Sequence, residues 1–257
     1  MVLTGIRERI EHGEAPLWGA FLGTGSQLLA EMLSRSGFDW LVIDMQHAPV
    51  NSSSEMLGMV QAISLGQSAP FLRAPWKTQV GAIMSALDAG VEGIIVPMLD
   101  TAKEAEEVAR CFRYPPRGYR SWGPWRVAMA APGYSPEVGD RRALCLVQIE
   151  TRSGMRNVDE ILEVEEVDGA YIGPQDLSLS HQGGLSWRAD NRVLHELSDR
   201  VLAACRRHGK IAVAHTADAE DALHWSQRGF PLVNVTSDVR LVQEGLGCVL
   251  GRLRKEG

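Results

Sequence analysis

Glu150 and Asp176 each close a short apolar run, Leu144 to Ile149 before the first and Gly169 to Gly173 shortly before the second. Acids at the ends of neighbouring strands of a parallel α/β barrel stand where such folds keep their chemistry. Two carboxylates give hard oxygen ligands, the donor type that suits Mg²⁺, Mn²⁺ or Co²⁺, with water and substrate oxygens completing the shell. No histidine- or cysteine-rich set of the zinc kind accompanies them. The alternative is that both acids cap helices, as Thr151, Ser153 and the Leu177-Ser178-Leu179 stretch beside them would allow.

Other polar residues gather where apolar runs end. His47 follows Asp44 in Asp44-Met45-Gln46-His47, and a histidine near a carboxylate can serve as a general base at neutral pH or stay a structural loop residue. Arg73 ends Phe71-Leu72-Arg73. An arginine in a strand fit for burial needs a partner, Glu150 or Asp44, and can also steady negative charge on a bound oxyanion. Asp88 sits at an apolar helix end, either exposed or, if the fold permits, as a partner raising the basicity of His47. Gln148 precedes Glu150, and the turn Gly173-Pro174-Gln175-Asp176 can offer the backbone N–H groups of Gln175 and Asp176 to a carboxylate. His215 closes a further run as a core histidine or a second polar wall.

What must position these residues is a repeated strand–helix unit. Eight nearly continuous apolar runs stand at Leu17–Leu22, Trp40–Asp44, Pro70–Ala74, Gly93–Pro97, Leu144–Glu150, Gly169–Gly173, Ile211–His215 and Leu232–Thr236. Continuity, in place of alternation, marks strands buried on both faces. Helical patterns lie between them, with Gly37, Gly66, Gly90, Gly209 and Gly229 as expected C-caps and Asp100-Thr101 and Thr216 as expected N-caps. Eight such units in 257 residues predict a single (β/α)₈ TIM barrel over residues 1–257. A doubly wound sheet lacks its glycine fingerprint after the first strand.

The bulk numbers narrow the function. Hydrophobic residues at 45% support a large core, and a net charge of −6 argues against nucleic acid as a partner. The four cysteines, Cys111, Cys145, Cys205 and Cys248, form no CxxC pair and read as reduced thiols. The charged, helix-like segment Met1–Ile10 has no signal-peptide core, and no run is long enough for a membrane span, so the expected location is the cytoplasm with no membrane partner. The arginine-dense stretch Arg110–Arg126 is either a small-anion loop or a solvated, proline-stiffened one.

Taken in order, the motifs are similar to those of the HpcH/HpaI aldolase family, the class II pyruvate aldolases. They are Gly37-Phe38-Asp39 through Asp44 with His47, Arg73-Ala74-Pro75, Gly93 to Pro97, Arg113-Tyr114-Pro115-Pro116 with Gly118 and Arg120, Gln148-Ile149-Glu150-Thr151, and Gly173 to Ser178. The resemblance implies a divalent metal held by Glu150 and Asp176, at which pyruvate or another 2-oxo acid binds through its carboxylate and keto oxygens. It implies proton transfer by His47, tuning of His47 by Asp88, enolate stabilisation by Arg73, and substrate contacts from Gln148, Gln175 and Asp176. It further implies homo-oligomers, often hexamers, with the last helix exchanged between subunits. The implied reaction cleaves or forms 4-hydroxy-2-oxo acids, with pyruvate and an aldehyde as partners. Decarboxylation of oxaloacetate, or a macrophomate-synthase-like C–C bond formation, would use the same site, and a non-catalytic 2-oxo-acid-binding barrel is the reading from another class. One departure is Gln46, where aldolase members usually carry Glu. A second is Arg120-Ser121-Trp122-Gly123-Pro124, whose Trp122, with Trp125, would give a loop near the mouth a bulkier acceptor pocket.

Overall fold

The computed structural model describes residues 5–185 and 191–254. Eight parallel strands close on themselves in sequence order: β1 (Leu17–Leu22), β2 (Trp40–Asp44), β3 (Ala69–Arg73), β4 (Gly93–Val96), β5 (Leu144–Ile149), β6 (Gly169–Ile172), β7 (Ile211–His215) and β8 (Leu232–Ser237). Helices connect them, and the expected (β/α)₈ barrel is what forms. The charged N-terminal segment contributes the helix Ile6–Glu11, and residues 1–4 of it lie outside the described residues. Among the described residues no helix is long and apolar enough to cross a membrane. Cys111, Cys145 and Cys205 are buried free thiols and Cys248 is exposed.

Both faces of each strand are buried, for different reasons. One alternate set, including Leu41, Ile43, Leu72, Ile94, Cys145 and Val147, packs outward against the helices. The other set fills the barrel: Leu17, Trp40, Val42, Phe71, Ile95, Leu144, Leu146, Val213 and Leu232 form one buried cluster. Alternation of side chains along a strand makes the next inward residues toward the C-terminal ends Asp44, Arg73, Gln148, His215 and Asn234, beside Tyr171. The ladder sets them in adjacent pairs, Asp44↔Arg73, Gln148↔Tyr171 and His215↔Asn234. A polar ring therefore sits on an apolar plug.

The plug depends on glycine opposite large rings. A Cβ at Gly93 would lie 2.4 Å from the Phe71 ring, a residue to which Gly93 is paired in register. Gly93→Ala is expected to cost about 1–3 kcal/mol by overpacking, read as a lower urea midpoint. Gly81→Ala, where a Cβ meets nothing within 4 Å, is the control and should be neutral or stabilising.

Several caps differ from expectation. Thr101 caps its helix through Glu104 N, as expected, and Gly90 and Gly209 are left-handed C-caps. Thr216 instead donates to Asn234 O, and Asp218 caps the helix Ala219–Gln227. Gly66 serves close approach, since a Cβ there would sit 2.2 Å from Ser34 Oγ. The last helix, Asp238–Leu253, buries only Asp238, whose carboxylate accepts from Gly23 N and Thr24 N.

Candidate active site

The C-terminal rim opens into a cavity of about 450 Å³, lined by Phe21, Asp44, His47, Arg73, Gln148, Tyr171, Gly173, Gln175, Asp176, His215 and Asn234 among others. Seven different strands or the loops that follow them supply these residues. The convergence expected from the sequence is thus present for every candidate but Asp88 and, as set out below, Glu150 lies just behind the wall.

Asp44 and Arg73 form a two-point ion pair, Arg73 Nε to Asp44 Oδ1 at 2.9 Å and Nη2 to Oδ2 at 2.6 Å. Burial alone would raise the Asp44 carboxyl, but the guanidinium, through hydrogen bonds and charge, overrides it and holds the carboxyl below its ordinary value. Asp44 Oδ1 also accepts from the backbone N–H of Gln46 and His47, which fixes the loop carrying His47. The Arg73 guanidinium lies over the Phe21 ring, 5.0 Å from its centroid, while Nη1 makes no hydrogen bond among the described residues. Of the two partners expected for Arg73, the structure takes Asp44.

Glu150 is 2% exposed and has no ion pair among the described residues. Oε1 accepts from Met98 N at 2.7 Å, and Oε2 from Gln148 Nε2. Met98 holds φ 59°, the only non-glycine residue among those described in the left-handed region, so backbone strain is spent to aim this amide. Burial, with the charge of Asp176 adding, lifts the Glu150 carboxyl to about 7. A buried acid lifted by a second acid, with no cation of its own, is short of positive charge. Gln148 Oε1 is buried without a partner among the described residues. A Cβ at Gly173 would lie 2.8 Å from both Gln148 Nε2 and Glu150 Oε2, so glycine keeps the approach to that carboxylate open.

Asp176 is exposed, in the first turn of the helix Pro174–Gln182, whose N-cap Gly173 offers no side-chain cap. The first-turn amides of Gln175 and Asp176 therefore need partners from outside the helix. The oxygen donors fit a hard divalent cation, two carboxylate-bearing residues in electrostatic contact and one unpaired amide oxygen, while the free first-turn N–H groups suit an anionic group of a substrate. No group of three His, Cys, Asp or Glu in metal-holding geometry exists among the described residues, so a cation here would draw its other ligands from water and substrate.

His47 is exposed at the cavity. Asp88 is elsewhere. It ends a helix that returns the chain from the C-terminal rim to the start of β4, and it pairs with Arg120 at 2.8 Å. The expected pairing of Asp88 with His47 is not made within this chain. Gln46 Oε1 is buried without a partner among the described residues.

The arginine-dense stretch lies at the same far rim, and most of its charges are already used. Arg113, 2% exposed, binds Glu166 at 2.7 Å and Asp168 at 2.6 Å, and its Nη1 donates to Ala143 O and Asp140 O. Arg117 binds Glu166 and Arg126 donates to Ala89 O. Structural pairing replaces the small-anion reading. Trp122 packs against Tyr114 and Tyr134, away from this chain's own mouth, which corrects the expected acceptor pocket. Arg113→Met is expected to cost about 3 kcal/mol in equilibrium denaturation, because it removes the buried cation shared by Glu166 and Asp168 and leaves them only the more exposed Arg117 and Arg7. A loss under 1 kcal/mol would contradict this assignment.

Three groups escaped sequence reading: Tyr171 and Asn234 at the cavity, and the Met98 amide behind it on Glu150. Tyr171 Oη lies 2.6 Å from His215 Nδ1, and His215 is a wall residue of the cavity. The inward parity of β6 and β8 is the signal that would have found Tyr171 and Asn234; nothing in the sequence marks Met98.

Comparison with known proteins gives the same picture. The family model described as HpcH/HpaI aldolase/citrate lyase matches residues 17–244. A 2-keto-3-deoxy-L-rhamnonate aldolase of Shigella sonnei is 36% identical over 248 residues, covering 93% of this chain and 89% of its own. A 4-hydroxy-2-oxo-heptane-1,7-dioate aldolase of Escherichia coli is 36% identical over 242 residues, covering 92% and 90%. Among solved structures, an HpcH/HpaI aldolase/citrate lyase family protein from Burkholderia cenocepacia superposes with a TM-score of 0.88 at 28% identity, covering 97% of this chain and 98% of that one. Macrophomate synthase, at 22% identity and a TM-score of 0.80, shares the fold.

Proposed function

Because the chain belongs to the HpcH/HpaI aldolase/citrate lyase family and is a carbon–carbon lyase, we propose that it is a divalent-metal-dependent aldolase. It cleaves, or in reverse forms, 4-hydroxy-2-oxo acids, giving pyruvate or a close 2-oxo acid and an aldehyde. The observation that carries this reading is Glu150, a buried acid beside Asp176 with no cation among the described residues.

Glu150 and Asp176 would hold Mg²⁺, Mn²⁺ or Co²⁺. When bound, the cation supplies a Lewis acid to the carboxylate and keto oxygens of the 2-oxo acid. The chain's own groups do the rest. Gln148, through its unpaired Oε1 region, and the first-turn amides of Gln175 and Asp176 orient the substrate. His47 takes the proton of the C4 hydroxyl as the C3–C4 bond breaks, and returns one to C3 of the enolate. Arg73, held by Asp44, presents its unused N–H groups to the enolate oxygen, where negative charge grows. No lysine lies among the cavity residues, so no Schiff base is required.

The reading extends to one barrel domain over residues 1–257 and to a homo-oligomer of hexamer type. In its support, the helix Asp238–Leu253 leaves Val242, Leu246, Val249, Leu250 and Leu253 exposed, an apolar stripe that exchange with a neighbouring subunit would cover.

The test is a panel of 4-hydroxy-2-oxo acids with released pyruvate measured enzymatically. Release that stops with chelator, returns with Mg²⁺ or Mn²⁺ and survives borohydride is expected. Release that persists in chelator and is lost to borohydride would overturn the reading.

A further inference from the structure

Outside the mouth, two histidines from different helices turn their ring edges toward one another. His195 lies on the helix Arg192–His208 and His224 on the helix Ala219–Gln227, the helices before and after β7 in the chain. Nε2 of one stands 3.3 Å from Nε2 of the other, and the ring centres are 5.3 Å apart. Both residues are half-buried, so solvent reaches the pair. Trp225, itself buried, packs against both rings, 5.2 Å from that of His195 and 5.1 Å from that of His224, and holds them in place. None of these groups takes part in the cleavage above.

The neighbours decide which nitrogens carry lone pairs. Asp199, one turn after His195, has its Oδ2 3.3 Å from His195 Nδ1. Both Asp199 oxygens accept from Arg228, so the carboxylate is an acceptor. A ring lone pair set against it would be repelled, which puts the hydrogen of His195 on Nδ1. The Nε2 lone pair of a neutral His195 then faces His224. Nδ1 of His224 makes no hydrogen bond among the described residues and is free to hold that ring's one hydrogen.

Two readings fit such a pair. In a hydrogen bond, Nε2–H of His224 would donate to Nε2 of His195, and 3.3 Å is at the long end for that. For two imidazoles on one metal ion, bonds of about 2.0–2.1 Å at a tetrahedral angle set the nitrogens about 3.3 Å apart. The observed separation is that of two ligands. Asp199 supplies the other feature of a metal-binding histidine, a carboxylate beside the second ring nitrogen, which fixes the ring and raises the basicity of the first. No third His, Cys, Asp or Glu completes a set among the described residues, so water fills the rest of the shell.

We propose that His195 and His224 form a second cation site, separate from the mouth, which takes a borderline transition-metal ion such as Zn²⁺, Ni²⁺ or Cu²⁺ and clamps their two helices together. Imidazole nitrogens select such ions over Mg²⁺, which prefers oxygen. On binding, His224 moves its hydrogen from Nε2 to Nδ1 through water. The two ligands are 29 residues apart in the chain, so the site exists only in the folded barrel and the ion stabilises that state. The site does not depend on the aldolase reading.

The experiment is calorimetric titration of Ni²⁺ into the chelator-stripped full chain carrying Glu150→Gln, which weakens the mouth's own cation site. One ion per chain with Kd below about 100 μM is expected, and Mg²⁺ should show no such binding. In that background, His195→Gln and His224→Gln should each raise Kd by at least about tenfold, and Asp199→Asn by about tenfold. Saturating Ni²⁺ should raise Tm by at least about 3 °C in the parent and leave both histidine variants unmoved. Weaker binding by the parent, or binding equal in parent and histidine variants, overturns the proposal. Crystals of the unmutated protein soaked in Zn²⁺ give a check that needs no variant. Anomalous density about 2 Å from both Nε2 atoms is expected, and its absence at that point overturns the proposal.

Discussion

Glu150→Gln is expected to lower kcat/KM for cleavage by about 10³-fold, or about 4 kcal/mol of transition-state stabilisation, while the barrel stays folded. Gln keeps the shape and can still accept from Met98 N, but it removes the charge that a cation would neutralise. Calorimetric Mn²⁺ titration should show affinity falling by at least about tenfold. Stability should move the other way. The Glu150 carboxyl is lifted by burial to about 7, above its ordinary 4.5. A group raised on folding contributes stability that is present below the unfolded value and lost as pH rises through the folded one. In chelator, wild type should therefore melt lower at pH 8 than at pH 5 relative to Glu150→Gln, and Mn²⁺ should close the gap. A variant of full activity, or one less stable than wild type in chelator at pH 8, would count against the assignment.

The second large effect is at Arg73. Arg73→Lys keeps a positive charge but cannot make the two-point contact with Asp44 or offer a second N–H edge to substrate. A fall in kcat of about 10²–10³-fold is expected, with KM changed far less, because in the proposed reaction the contact to the growing oxyanion would form only in the transition state. Asp44→Asn should lose activity similarly, since it frees both Arg73 and the loop bearing His47. The pair also sets an acid limit. The Asp44 carboxyl is held below its ordinary 3.8, so its contribution is present above that value and is lost as pH falls through the lower folded one. Asp44→Asn should flatten wild type's stability loss in that acid range. A rise in KM alone for Arg73→Lys would instead assign Arg73 to ground-state binding.

Much of the scaffold was legible because buried parallel strands write themselves as continuous apolar runs. Seven of the eight expected runs begin at their strand's first residue, and β3 starts one residue earlier than its run, at Ala69. Polar residues closing those runs were legible for the same reason: Asp44, Arg73, Gln148 and His215 interrupt apolar stretches that burial would otherwise keep uniform. Pairings across the barrel were not. Nothing local in Arg113 announces Glu166 and Asp168, which reach it only once the far rim is assembled. The misplacement of Trp122 and Trp125 has a topological cause. A helix after β4, Ala102–Ala109, returns the chain to the N-terminal rim, so the segment that follows begins at the wrong end for this chain's mouth. The same return applies to Asp88 after its helix. Asn234 hid because a lone amide within Leu-Val-Asn-Val reads as strand, and only its parity with Leu232 turns it inward.

In the proposed reaction one divalent cation, shared by Glu150 and Asp176, would let this barrel turn a 2-oxo acid into its enolate. The direct measurement is ¹H NMR of C3 deuterium exchange in 2-oxo acid with chelated enzyme, with Mn²⁺ or Mg²⁺ restored, and with Glu150→Gln and Asp176→Asn. Exchange that appears only with the cation, and is lost in both variants, is the predicted result. Exchange at the full rate in chelator, or in either variant, would contradict it.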